Sequence, residues 1–101
     1  MIEIITPDFI YEDDRGRLVQ LVHEGWQQVN IISSKANMVR GGHYHKQNRE
    51  LFFIVDGKCR VRVRKGKKAE EYQFSKGDMF VISEYIAHEI IYEKDMILVS
   101  M

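Results

Sequence analysis

A single cysteine, a single proline, no net charge and no long apolar run limit what this chain of 101 residues is built to do. One cysteine cannot form an internal disulfide, which excludes a disulfide-stapled secreted scaffold and fits a reducing, cytoplasmic compartment. The lone proline, Pro7, leaves no room for a proline-rich linker, and neither repeats nor low-complexity tracts divide the chain. Residues 1–101 therefore read as one domain, at the small end of sizes that fold alone. Fifteen basic and fifteen acidic residues cancel, which excludes a general binder of nucleic acid or of anionic membrane. No stretch approaches the roughly 18 apolar residues of a membrane span. The opening Met-Ile-Glu-Ile-Ile-Thr-Pro has no cationic start of a signal peptide. The chain reads as a soluble protein.

What is present is a succession of short apolar runs punctuated by Gly, Asp, Asn and Lys, the spacing of an all-β sandwich or barrel. Strands are expected at Ile2–Ile5, Leu18–Val22, Gln28–Ser33, Val39–His45, Leu51–Val55, Glu71–Phe74, Met79–Ile82, His88–Tyr92 and Met96–Val99. Between them, Cys59, Val61 and Val63 alternate with Arg60, Arg62 and Arg64, the clearest period of two in the chain. Asp56-Gly57 signals a hairpin, and Phe9–Asp13 and Ser83–Ala87 suit short helical turns. Cys59 and the set Phe52, Phe53, Phe74 and Phe80 read as core. The arginine row reads as the solvated side of a strand or, extended by Lys65, Lys67 and Lys68, as a surface for anions. Trp26 suits a pocket rim or a dimer contact. A homodimer is expected, because a small domain with an apolar first strand has edges to cover.

The chemistry concentrates between Arg40 and Gly57. His43 and His45 are two apart, so a regular strand would send both side chains from one face. The polar run Lys46-Gln47-Asn48-Arg49 reads as a turn that returns Glu50 beside them. Two imidazoles and a carboxylate suit a divalent ion such as zinc, iron(II), manganese or nickel, and His88 is the candidate for a further ligand. The fourth histidine, His23, reads as a loop residue.

His43-x-His45, then Glu50 and Gly57, followed by Gly77 and His88, resembles the two motifs of the cupin superfamily, a jelly-roll barrel or double-stranded β-helix. The pattern departs at Asn37 and Tyr85, where the family usually has glycine, and at Ser83, where it has proline. The resemblance implies a metal set of His43, His45, Glu50 and His88. Asp14-Arg-Gly-Arg-Leu-Val, Arg40-Gly-Gly-His-Tyr-His-Lys, Gly57-Lys-Cys-Arg-Val and Ala87-His-Glu look more narrowly like the sugar-nucleotide cupins. These are the dTDP-4-keto-6-deoxyglucose ketoisomerases, the rhamnose-pathway epimerases and the cupin domain of capsular-polysaccharide enzymes. In the ketoisomerases, histidines at the positions of His43 and His45 act as acid and base without metal, and Gln stands at the Glu50 position. Glu50 here is similar to the metal-binding capsular domain instead.

The resemblance implies proton abstraction next to the ketone of a nucleotide-linked 4-keto-6-deoxy sugar, with Arg40 holding the substrate. Should His43 and His45 be ligands, Tyr85 and Tyr92 become candidates to move the proton, and Tyr44 a weaker one. Two other classes fit the same residues: a metal-dependent oxygenase or similar cupin enzyme, and a non-catalytic module that binds sugar or metal.

Overall fold

A computed structural model describes residues 1–25, 28–43 and 49–101; for residues 41–43 it describes the backbone alone. Among the described residues there are eleven strands and no helix, so no helix is long and apolar enough to cross a membrane. The strands are β1 (Ile2–Ile5), β2 (Phe9–Asp13), β3 (Gly16–Gln20), β4 (Asn30–Ser34), β5 (Val39–His43), β6 (Glu50–Asp56), β7 (Lys58–Lys65), β8 (Lys68–Ser75), β9 (Met79–Ile82), β10 (Ala87–Tyr92) and β11 (Met96–Ser100). They form a five-stranded sheet ordered β1-β9-β6-β11-β4, a four-stranded sheet ordered β5-β10-β7-β8, and the separate pair β2-β3. All the pairings are antiparallel. This is the cupin jelly roll, with one correction: the two main sheets face each other as a sandwich, and among the described residues no ladder closes them into a barrel.

Alternation builds the core. Phe52 and Ile54 of β6, Phe80 and Ile82 of β9, and Leu98 of β11 point in from the first sheet. Cys59, Val61 and Val63 of β7, Phe74 of β8, and Ile90 and Tyr92 of β10 meet them from the second. Phe52 stacks on Phe80 at 5.1 Å between centroids, and Phe80 on Phe74 at 4.0 Å, so rings join the two sheets directly. Burial pushes the Cys59 thiol up to about 12, which leaves it a packing group rather than a nucleophile. Strand β9 is buried on both faces, because Leu21 and Val22, just beyond β3, cover Leu51, Met79 and Val81 on the outside of the first sheet.

Three local expectations are corrected. Asp56-Gly57 does not close a hairpin between paired strands: β6 pairs with β9 and β11, and β7 with β8 and β10, so the chain crosses there from one sheet to the other. Gly57 takes φ +107°, and a Cβ on it would lie 2.7 Å from the Asp95 carbonyl oxygen and 2.9 Å from Met96 Cα. Phe9–Asp13 is a strand, not a helical turn, since it pairs with Gly16–Gln20 across a turn closed by Asp13 and Arg15. There the Arg15 guanidinium and backbone amide hold the Asp13 carboxyl below its usual range. The strand expected at Gln28–Ser33 runs instead from Asn30 to Ser34, set by its register with β11.

Two residues standing where the cupin pattern has glycine keep the backbone that glycine would supply. Asn37 has φ +69° and Tyr85 φ +64°, the only non-glycine positive values among the described residues. Asn tolerates this conformation, and a bulky tyrosine is strained by it. Two outcomes follow for urea unfolding curves. Gly57→Ala is expected to cost on the order of 3 kcal/mol, because left-handed strain adds to a collision with backbone. Tyr85→Gly is expected to raise stability by about 0.5–1 kcal/mol, as relieved strain outweighs the added freedom of the unfolded chain.

Candidate functional site

Glu50 opens β6 in the first sheet, and His88 is the second residue of β10 in the second. Both side chains turn into the space between the sheets. Glu50 Oε1 lies 3.8 Å from His88 Nε2, with the two side chains 23% and 4% exposed. A carboxylate and an imidazole from opposite sheets therefore meet at one end of the sandwich, half sealed from solvent. Phe52, two residues beyond Glu50 and on the same face, sets its ring edge-on to His88 at 6.1 Å between centroids. The histidine is thus held by a carboxylate on one side and an aromatic ring on another.

Strand β5 brings the Arg40-Gly-Gly-His43 element alongside. Arg40 stands opposite Ile90, and His43 opposite His88, with a shift of register between His88 and Glu89. In an unbroken pairing, residues three apart could not both stand opposite the same face of β10; the bulge within Gly41-Gly42 makes it possible. Arg40 itself is exposed. The site's backbone frame is therefore three strands: β5, β6 and β10.

Of the four candidate ligands, Glu50 and His88 are brought together and His43 is brought into register with His88. His45 lies outside the described residues, as do Tyr44, the Lys46–Asn48 part of the turn, and Trp26. Among the described residues no three of His, Cys, Asp and Glu gather closely enough to hold a metal ion. The donor chemistry of the described pair does suit one, since 3.8 Å is a separation that a carboxylate oxygen and an imidazole nitrogen can have when each lies about 2.0–2.2 Å from a common ion.

The two tyrosines are not brought together. Tyr92 shares the inward face of β10 with His88, yet four residues along a strand is roughly 13 Å, and its side chain is among the largest fully buried ones. Burial pushes its phenol up, against the opposing pull of the neighbouring Ser34 hydroxyl and Arg40 guanidinium. Tyr85 is 59% exposed on the turn leading to His88. His23 sits in a loop as expected, 2.6 Å from Asp8.

The arginine row faces outward and is mostly neutralised. Arg60 and Arg62 reach Glu71 at 3.1 and 3.4 Å, and Arg62 also reaches Glu89 at 3.4 Å. A cleft of about 650 Å³ reaches from these outward arginines to buried residues, with Arg62, Val63, Glu71, Ala87, His88 and Glu89 among its lining. His88 of the Glu50–His88 pair thus contributes to the wall of this cleft. Sequence reasoning overlooked the Phe52 contact, although the period of two from Glu50 would have revealed it.

A jelly roll with an acid–imidazole pair between its sheets and an Arg-Gly-Gly-His edge strand defines a small cupin. The chain belongs to the polysaccharide biosynthesis C-terminal domain family, whose model matches residues 11–101. Comparison with curated proteins gives no match. Among solved structures, the TDP-quinovose 3,4-ketoisomerase of Campylobacter jejuni is similar with a TM-score of 0.86 and 21% identity, over 99% of this chain and 82% of that one. The 3,4-ketoisomerase of Thermoanaerobacterium thermosaccharolyticum, in complex with TDP, matches with a TM-score of 0.84 and 17% identity, over 99% and 78%. The dTDP-4-dehydrorhamnose 3,5-epimerase of Sulfolobus tokodaii matches with a TM-score of 0.80 and 21% identity, over 98% and 68%. At these identities the shared property is the fold.

Because Tyr92 belongs to the core end of β10, Tyr92→Phe is expected to cost about 1 kcal/mol in urea unfolding. Calorimetric titration with TDP should give the same affinity for this variant as for the unaltered chain.

Proposed function

We propose that this domain binds a nucleotide-linked 4-keto-6-deoxy sugar and isomerises or epimerises it by moving a proton on the carbon beside the ketone. The observation that carries the reading is the Glu50–His88 pair between the sheets, next to the Arg40-Gly-Gly-His43 strand. The named activities of the structurally similar ketoisomerases and epimerase support it.

The residues fit that chemistry in distinct ways. A proton beside a ketone is weakly acidic, so the negative charge that develops on the oxygen must be stabilised as it forms. We assign His43, His45, Glu50 and His88 as the residues that would hold a divalent metal; when bound, such an ion supplies Lewis acidity toward that oxygen. Arg40 offers a planar guanidinium suited to phosphate oxygens. With the histidines engaged, Tyr85 is the residue left to carry the proton, and its exposure on the turn before His88 supports that choice. In this reading the domain works in the cytoplasm, which its single buried thiol fits, and as a homodimer.

Two measurements test the proposal on protein purified without a histidine tag. TDP- and UDP-linked 4-keto-6-deoxyglucose are incubated with it in deuterium oxide; deuterium is expected beside the ketone, with at least about a hundredfold loss for His88→Ala. Absence of exchange together with absence of TDP or UDP binding would overturn the activity. Metal content is expected near one ion per chain and lost in both Glu50→Gln and His88→Ala. Retention in both variants would remove those residues from the ligand set.

A further inference from the structure

The three arginines of β7 have different neighbours. Arg62 stands opposite Glu71 on β8 and Glu89 on β10, and it pairs with both. Arg60 is engaged by Glu71 at 3.1 Å and by Glu93 at 4.0 Å. Arg64 stands opposite Ala69 on one side and Ala87 on the other. Two alanines thus take the places of the two glutamates that hold Arg62. Among the described residues no carboxylate pairs with the exposed Arg64.

Charge accumulates beyond it. Arg64-Lys-Gly-Lys-Lys68 puts four cations in five residues of a chain whose net charge is zero. The chain turns through Gly66-Lys67, with Gly66 at φ +60°, and this sets Lys65 directly opposite Lys68. Like charges at opposite positions of an antiparallel pair repel. The period of two gives both lysines the face that carries Val63, at the end of the sandwich where Glu50 and His88 meet. Glu70, the next carboxylate on that face, is engaged by the Tyr72 hydroxyl at 3.0 Å and by the Met1 amino group at 3.6 Å. An anion of more than one charge would relieve the repulsion that the hairpin tip carries.

The cleft connects this tip to the site. Val63, Arg64, Ala69, Ala87 and His88 all line it, and its volume of about 650 Å³ suits a small molecule. Val63 pairs with His88 and Arg64 with Ala87, so the guanidinium starts one residue along from the level of the imidazole. The small side chains of Ala69 and Ala87 leave it uncovered on both sides. Arg40 lies on the other flank, since β5 and β7 border β10 on opposite sides.

We infer that the tip of the β7-β8 hairpin is a diphosphate subsite. Arg64 takes phosphate oxygens with its planar fork, and Lys65 and Lys68 supply further positive charge. The nucleotide then leaves the sandwich over this hairpin, with its sugar directed along the cleft to the Glu50–His88 pair. The observation that carries the inference is the contrast within one ladder, Glu-Arg62-Glu beside Ala-Arg64-Ala. It rests on the nucleotide-sugar reading above and adds the residues and the direction by which the nucleotide is held.

Calorimetric titration with TDP tests it. Arg64→Ala and the double variant Lys65→Ala/Lys68→Ala are each expected to weaken binding about tenfold. Arg60→Ala removes the same charge from the same row outside the cleft, and should change the affinity less than about twofold. Inorganic pyrophosphate is expected to displace TDP from the unaltered chain. All these substitutions are at surface positions, and matching urea unfolding curves would show that the fold is kept. TDP binding that is unchanged in Arg64→Ala, an equal loss in Arg60→Ala, or no displacement by pyrophosphate would overturn the subsite and leave the proposed activity standing. No binding of TDP or UDP by the unaltered chain would overturn the subsite together with the nucleotide-sugar reading.

Discussion

Three stacked rings, Phe52, Phe80 and Phe74, are the contact on which the rest of the structure depends. They fix the spacing of the two sheets, since Phe52 and Phe80 come from the first and Phe74 from the second. Phe52 also touches His88, so the packing that separates the sheets positions the imidazole as well. Glu50 stands two residues from Phe52 on the same face. The distance between Glu50 and His88 is thus set by core packing rather than by a loop, which suits a pair that must hold its geometry without reorganising. Stability and site geometry are not independent properties here.

Much of the fold was legible in the sequence because period-two alternation reports burial directly. Cys59, Val61 and Val63 turned inward as their alternation with three arginines required, and Met79–Ile82 was found at its observed bounds. The crossing at Gly57 was not legible. Asp-Gly between two apolar runs has the same local signature whether the flanking strands pair or part, and partners for β6 and β7 were decided by strands far away in sequence. The β2-β3 pair was missed for a related reason: Phe9-Ile-Tyr-Glu-Asp is compatible with more than one conformation until Gly16–Gln20 supplies a partner.

At the site, type and spacing singled out Glu50 and His88, and the fold brings them together across the sandwich. The sequence also suggested two tyrosines. Strand geometry sets them apart from each other: Tyr92 stands four residues from His88 along β10 with its side chain fully buried, while Tyr85 lies on the exposed turn that leads to His88. Proximity in sequence to a histidine is informative at a spacing of two along a strand and uninformative at four. The Gly41-Gly42 bulge is another feature that no spacing rule reveals, since register exists only between strands.

The left-handed corners at Asn37 and Tyr85 bear on how such domains are to be found. Each corner has kept its dihedral angle while the residue that normally supplies it has drifted. Strand pairing on either side dictates the bend, and the side chain at the bend merely tolerates it. A sequence profile that insists on glycine at both corners would pass over chains of this kind. One that weights the inward-facing Glu, Phe and His, and accepts any residue at the corners, would recover them.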